Sequence, residues 1–226
     1  MEIKLVEVTD PEAPFSKQAI SLYQVSFPKE EQTPVEQLIN GIRLRAQGNL
    51  PLDHRTHFWA SVQEERVTGI SIYSYVKNAR LGFLYYLATQ PELRGKGLGG
   101  WLFKKTAELC QEDALSLGGK SALGLVWEVE RPDHGKNYEE QTLRQRRIIF
   151  YQRNGAILLE DIDLVAPPLS EGLPPVSYYL MFLPTPGSSP VIDQGLKMSI
   201  LDVILIHGYG LEPDSVYYQK AMKSFK

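Results

Sequence analysis

Residues 94 to 100 read RGKGLGG, four glycines and two cations placed directly before a stretch, WLFKKTAELCQE, with helical patterning. Glycine costs about 0.5–1 kcal/mol relative to alanine inside a helix, so this cluster at a helix start needs a reason. One reading is a tight strand-to-helix turn. The other is a loop whose backbone N–H groups must come close to an anion. The start of a helix aims unpaired N–H groups and the positive end of its dipole at one point, which suits a pyrophosphate. The spacing fits neither G-x-x-x-x-G-K-[ST] nor G-x-G-x-x-G.

A second candidate is Trp127-Glu128-Val129-Glu130-Arg131-Pro132. Strand alternation puts Glu128 and Glu130 on one face. Such a pair could bind a cationic amine, and one member could accept a proton. Mutual repulsion would raise the pKa of one of them, which helps a base. The same acids could instead pair with Arg144, Arg146 and Arg147 downstream. Arg147 lies one helical turn before Tyr151 and Arg144 two, so both can share its face.

The elements that must hold these groups can be read in order. Ile3–Val8 alternates as a strand, and Phe15–Phe27 has helical spacing. Pro34–Ala46 follows as a helix, with Thr33 at its N-cap and Pro34 at its first position. Three strand-like runs, His57–Val62, Val67–Tyr75 and Arg80–Ala88, are separated by polar turns at Glu64–Glu65 and Lys77–Asn78, which predicts antiparallel hairpins. After the glycine loop a helix runs to about Leu117 and stops at Gly118–Gly119. Then come a strand over Ala122–Val129, a polar loop RPDHGKNYEE, a helix over Leu143–Asn154, and strands over Ile157–Val165 and Val176–Leu183. PTPGSSP reads as a linker, with helices over Leu196–His207 and Asp214–Phe225 beyond it. The division is therefore 1–183 for the main domain, 184–195 for a linker, and 196–226 for a helical extension packing on that domain or on a partner subunit, as in a homodimer.

Composition bounds the function classes. The chain has 226 residues, 43% hydrophobic, enough for a sizeable core. Its single cysteine, Cys110, excludes an intrachain disulfide and reads as a packing residue, which suits a reducing compartment. A net charge of -3 gives no electrostatic footprint for nucleic acid. No signal peptide or membrane span is visible, so a soluble cytoplasmic protein is expected. No H-x-x-x-H or C-x-x-C pattern occurs, so no metal is expected; His54 and His57 read as surface or core histidines. Tyr73, Tyr75, Phe83, Tyr85 and Tyr86 alternate through the central strands as core or sheet surface, with any member facing a cleft available to line a pocket.

The segment FLYYLATQPELRGKGLGGWLFKKTAE contains Arg94-x-x-Gly97-x-Gly99 after an apolar strand, and Phe150-Tyr151-Gln152-Arg153-Asn154-Gly155-Ala156 follows on a later helix. Together with the element order over roughly residues 1 to 183, these resemble the GNAT N-acetyltransferase superfamily, with its (Q/R)-x-x-G-x-(G/A) and F-Y-x-x-x-G-F segments. The resemblance implies an α/β (α+β) fold, a mixed and mostly antiparallel sheet flanked by helices. It implies an acetyl-CoA donor, with Leu87, Ala88 and Thr89 offering backbone groups to the pantetheine arm. Arg94, Gly95, Lys96, Gly97, Leu98, Gly99 and Gly100 would hold the pyrophosphate, and Asn154 would contact the cofactor or close its helix. Arg94 and Lys96 either add cationic character or point to solvent. It implies that Tyr151 is the general acid that protonates the leaving thiolate, or else packs beneath the cofactor. Glu128 and Glu130 then stand as base or amine anchors. The acceptor would be a small cationic amine or a protein amine. The alternative is a non-catalytic acyl-CoA sensor or interaction module on the same fold.

Overall fold

A computed structural model describes residues 2–48, 51–188 and 190–224. Its strands are β1 (Lys4–Glu7), β2 (His54–Gln63), β3 (Arg66–Val76), β4 (Leu81–Thr89), β5 (Gly124–Glu130), β6 (Ile157–Ala166) and β7 (Val176–Pro184). Its helices are α1 (Pro14–Ser26), α2 (Val35–Ala46), α3 (Leu98–Gly118), α4 (Tyr138–Arg153), α5 (Gln194–Leu201) and α6 (Val216–Lys223), with a π-helical turn, Asp202–Gly208, continuing α5. The strands form one sheet in the order β1-β2-β3-β4-β5-β7-β6. Every neighbouring pair is antiparallel except β4 and β5, which run parallel.

That parallel pair leaves an opening in the sheet. β4 and β5 are in register only from Leu81–Phe83 to Gly124–Val126. Beyond this β4 runs on to Thr89 and β5 to Glu130 without pairing each other. β4 also carries a bulge: Ile72 faces Tyr86 and Tyr73 faces Leu84, leaving Tyr85 with no opposite residue. A bulge bends its strand and increases local twist, which helps swing the end of β4 away from β5.

Side-chain alternation divides the core into two faces. Tyr73, Leu84, Leu125, Trp127 and Val129 pack beneath α3 and α4 with Phe103, Cys110 and Ile148. On the other face Phe58, Ile70, Ile72 and Tyr86 pack under α1 and α2. The same face over β4 to β6, with Phe83, Val126, Leu180 and Phe182, is covered by the C-terminal segment through Leu196, Ile200, Val203, Ile204 and Leu205. The last helices therefore complete the core of the sheet instead of projecting from it.

Local starts and stops follow side-chain chemistry. α3 ends where Gly119 adopts the left-handed conformation, φ 64°, as the Gly118–Gly119 pair predicts. The turn at Glu64–Glu65 closes the β2–β3 hairpin with both residues at positive φ. Two details differ from the sequence reading. α2 begins at Val35, and Thr33 caps nothing; its hydroxyl lies 3.1 Å from the Tyr86 hydroxyl. α4 begins at Tyr138, because the Asn137 side chain accepts from the Glu140 N–H (2.9 Å) inside what reads as a polar loop. Its first turns are exposed, so they lack the apolar periodicity that would announce a helix. The C-terminal end expected at Phe225 lies outside the described residues.

Candidate active site

The glycine loop is built as a cradle. Gly95 and Gly97 sit at φ 77° and 83°, the left-handed region that glycine enters without strain. Gly97 is the N-cap of α3, and no side chain caps the helix. Among the described residues, the N–H groups of Gly95 through Gly100 make no hydrogen bond within the chain, whereas those of Arg94 (to Pro91) and Trp101 (to Gly97) do. A run of unpaired N–H groups at a helix start is an anion-binding concavity. Arg94 and Lys96 are exposed beside it.

Close packing fixes this loop against α4. A Cβ on Gly99 would meet the Phe150 ring at 3.6 Å, and one on Gly100 would meet Asn154 Oδ1 at 3.1 Å. Asn154 is itself held, donating from Nδ2 to the Phe150 carbonyl (2.8 Å) at the end of α4. Next to this junction lies a cleft of about 430 Å³ lined by Arg146, Ile149, Phe150, Arg153 and Asn154. Its two arginines extend the cationic surface beyond the loop. Neither follows from the motif; on sequence alone they belong to a generally basic helix face. Leu87, Ala88 and Thr89 pair with Ser71, Ile70 and Gly69 of β3 on one side, and face the unpaired gap toward β5 on the other.

Tyr151 lies on the α3/α4 face of the sheet. Its ring packs against Trp127 (4.7 Å between centroids) and Phe103 (5.2 Å). The residue is 7% exposed, and its hydroxyl has no hydrogen-bond partner among the described residues. Burial pushes its pKa up to about 12, against a small opposing pull from the Arg147 charge, so the phenol keeps its proton at neutral pH.

Glu128 and Glu130 approach from the opposite face. They share the side of β5 that carries Val126, while Trp127 and Val129 point toward α3 and α4. Their fates differ. Glu130 is paired with Arg144 (3.0 Å) and with Arg147. Arg144 also bonds Glu140 and the Arg131 carbonyl, which anchors α4 to the end of β5. Glu128 has no cationic partner among the described residues. Tyr209, just past the π-helical turn, donates to both its carboxylate oxygens (2.9 and 3.2 Å). Burial raises the Glu128 pKa to about 8, and the Tyr209 hydrogen bond pulls it partly back. The cause is therefore desolvation, not repulsion from Glu130.

Several participants are invisible in the sequence. Glu31, in the short turn between α1 and α2, has its pKa raised by burial and by the Glu130 charge. The Tyr86 hydroxyl donates to the Glu31 carbonyl (2.8 Å) and accepts from the Thr33 N–H (2.9 Å), pinning that turn over the sheet. Tyr178 lies opposite Glu130 on β7. These residues come from segments distant along the chain, and no local spacing marks them. The doublet Tyr85–Tyr86 was the one available signal.

Other titratable groups serve packing. Buried His57 bonds Glu7 (2.7 Å) and Asp113 (3.0 Å), tying β1 and α3 to β2, and Arg45 joins Glu7 at 2.7 Å. Burial pushes the His57 pKa down, but the bonds to Asp113 and Glu7 outweigh it and the net direction is up. Cys110 is enclosed beneath the sheet. Asp53, His54 and His207 bring ligand-type atoms within 4.8 Å of one another; Asp53 there already bonds His54 Nδ1 at 3.0 Å. No helix among the described residues is long and apolar enough to cross a membrane.

Comparison with known proteins agrees with this architecture. The model of the acetyltransferase (GNAT) family matches residues 17–133, more than half of the chain. No curated protein matches significantly. A Bacteroides thetaiotaomicron protein assigned to the GNAT family superposes with a TM-score of 0.66 at 22% identity, covering 94% of this chain and 100% of its own. The PaiA N-acetyltransferase of Thermoplasma acidophilum, solved with coenzyme A, gives 0.51 at 18% identity, covering 81% and 99%. The ribosomal-protein-S18-alanine N-acetyltransferase of Escherichia coli gives 0.50 at 14%, covering 85% and 98%. At these identities the likeness is one of fold.

Proposed function

Because the chain belongs to the GNAT acetyltransferase family, we propose that it transfers an acetyl group from acetyl-CoA to a primary amine by direct attack on the thioester. The observation that carries this is the run of unpaired N–H groups from Gly95 to Gly100 beside the gap between β4 and β5. These groups hold the pyrophosphate. Arg146 and Arg153, in the adjoining cleft, offer charge to a further phosphate. The β4 backbone at Leu87 to Thr89 lies along the pantetheine arm, and Asn154 borders the loop.

The two faces of the sheet then supply opposite halves of the chemistry. Glu128 stands on one side of the gap and Tyr151 on the other. An incoming ammonium loses a proton to Glu128, directly or through water. The freed lone pair forms the N–C bond, the C–S bond breaks, and the thiolate takes the proton of Tyr151. A carboxyl with a pKa of about 8 is well matched to accept a proton near neutral pH. Glu130, engaged by two arginines, holds α4 and hence Tyr151 in place instead of moving protons.

A coenzyme A release assay over a panel of primary amines tests this reading. Acetyl-CoA-dependent release with at least one amine is expected. Tight acetyl-CoA binding with no turnover on any amine would sink it. One feature favours the second reading, a non-catalytic acyl-CoA sensor: Glu130 is committed to ion pairs and Glu128 is covered by Tyr209.

A further inference from the structure

Two histidines that the chemistry above does not use meet where the C-terminal segment passes the start of β2. His54 opens that strand opposite Val76 of β3, and Asp53 precedes it. His207 lies in the π-helical turn that follows α5. One ligand-type atom from each of Asp53, His54 and His207 falls within 4.8 Å of the others. The two imidazole centroids are 6.2 Å apart, with the rings inclined at 62°. Asp53 Oδ1 lies 3.0 Å from His54 Nδ1. His54 Nε2 and both ring nitrogens of His207 make no hydrogen bond among the described residues. Sequence spacing hides the group, because His207 is distant from His54 along the chain.

The backbone is held on both sides of this cluster. Lys77 donates its N–H to the Asp53 carbonyl (2.8 Å). The N–H groups of Tyr209 and Leu211 donate to the carbonyls of Ile204 and Leu205 (both 3.0 Å), and Gly208 packs on the Phe83 ring with no room for a Cβ. The side chains, by contrast, are open to an aqueous ion. Those of His54 and Asp53 are 32% and 49% exposed, and His207 is exposed. Around a tetrahedral zinc, bonds of about 2.0–2.1 Å to nitrogen put ligand atoms about 3.3 Å apart and imidazole centroids about 5 Å apart. Rotation of these side chains between staggered positions closes the remaining difference of about 1–1.5 Å while the backbone stays in place.

We propose that Asp53, His54 and His207 bind one divalent transition-metal ion of the zinc class, which clips the C-terminal segment to the start of β2. Two imidazoles and a carboxylate suit zinc, copper or nickel, whereas magnesium and calcium take oxygen ligands. Three protein ligands leave a fourth position open. His54 and Gly208 also line a cavity of about 390 Å³ beneath α2, so the ion stands at its edge. Through His207 it steadies the turn that carries Tyr209 to Glu128. The clip stands on this geometry and is independent of the transferase reading.

Full-length protein stripped with a chelator is titrated with zinc chloride by calorimetry, with magnesium as the counter-probe. The variants are His54→Ala and His207→Ala. His134→Ala is the control, because His134 is also exposed, while His57 is buried and bonded to Glu7 and Asp113. One zinc per chain and no binding of magnesium are expected. Losing even a residue that only orients a metal ligand costs about 10–100-fold in affinity, so each of the two variants should weaken zinc binding at least tenfold. His134→Ala should leave it unchanged. With free zinc about 100-fold above Kd, the melting temperature of the unsubstituted protein should rise by about 5–10 °C, and that of His207→Ala should not. Because His207 is exposed, His207→Ala should melt like the unsubstituted protein without zinc, and it decides the matter even where His54→Ala disturbs β2. No saturable binding at submillimolar zinc, equal binding of magnesium, binding indifferent to His207→Ala, or binding that His134→Ala removes overturns the proposal. Zinc binding at these residues with no rise in melting temperature overturns the clip.

Discussion

Tyr151 and Glu128 are both buried, and burial does opposite things for their suitability. It moves the phenol further from ionisation and the carboxyl toward neutral pH. If Tyr151 donates the proton to the leaving thiolate, Tyr151→Phe keeps the packing on Trp127 and Phe103 and removes only the donor. We expect kcat to fall about 100-fold, the lower end for general acid catalysis, with KM for acetyl-CoA little changed. Steady-state kinetics check this on any amine that turns over. Glu128 also makes a statement about stability. Between pH 4.5 and 8 the native carboxyl retains a proton that the unfolded chain has released. The folded state therefore loses stability as pH rises through that window. Glu128→Gln keeps the shape, lets Tyr209 donate to an amide oxygen and removes the titration. Its stability relative to wild type should rise between pH 5 and pH 8 by up to a few kcal/mol, read from urea midpoints. Equal pH dependence in the two proteins would show that Glu128 ionises freely in the fold.

At the scale of elements, two glycines hold the site's geometry. Gly97 caps α3 at φ 83°, where a side chain costs about 1–2 kcal/mol. Gly97→Ala should therefore weaken acetyl-CoA binding about tenfold by calorimetry, through displacement of the N–H groups that follow it. The loop and its helix were legible because their signal is local: glycine spacing, an apolar strand before, an amphipathic helix after. The shared face of Glu128 and Glu130 was legible for the same reason, through a period of two. Their division of labour was not, because it depends on Arg144 reaching 3.0 Å from one and on Tyr209, 81 residues away in sequence, covering the other. Gly208 shows the same limit. In the sequence it is one glycine in a helix end. In the fold a Cβ there would lie 2.4 Å from the Phe83 ring, so only glycine lets the π-helical turn deliver Tyr209 to Glu128.

For the whole molecule, the C-terminal segment decides whether the sheet has two covered faces or one. Leu196, Ile200, Leu201, Val203, Ile204 and Leu205 are each at most 7% exposed and lie on Phe83, Val126, Leu180 and Phe182. Burying one such side chain is worth about 1.5–3 kcal/mol, and the six together contribute on the order of 10 kcal/mol. That sum is an upper bound, because unfolded chains already bury some of this surface. It is still comparable to the whole stability of a typical domain, about 5–15 kcal/mol. Removing residues 191–226 would also uncover the partners on β4, β5 and β7 and strip Glu128 of Tyr209. We expect the truncated chain to lack a cooperative thermal transition and to bind a hydrophobic dye strongly. A truncated chain that melts cooperatively near the full-length temperature would mean that the strands sustain the fold unaided. The segment would then serve only to cover Glu128 through Tyr209, and loss of amine turnover with acetyl-CoA binding retained would be the sign of it.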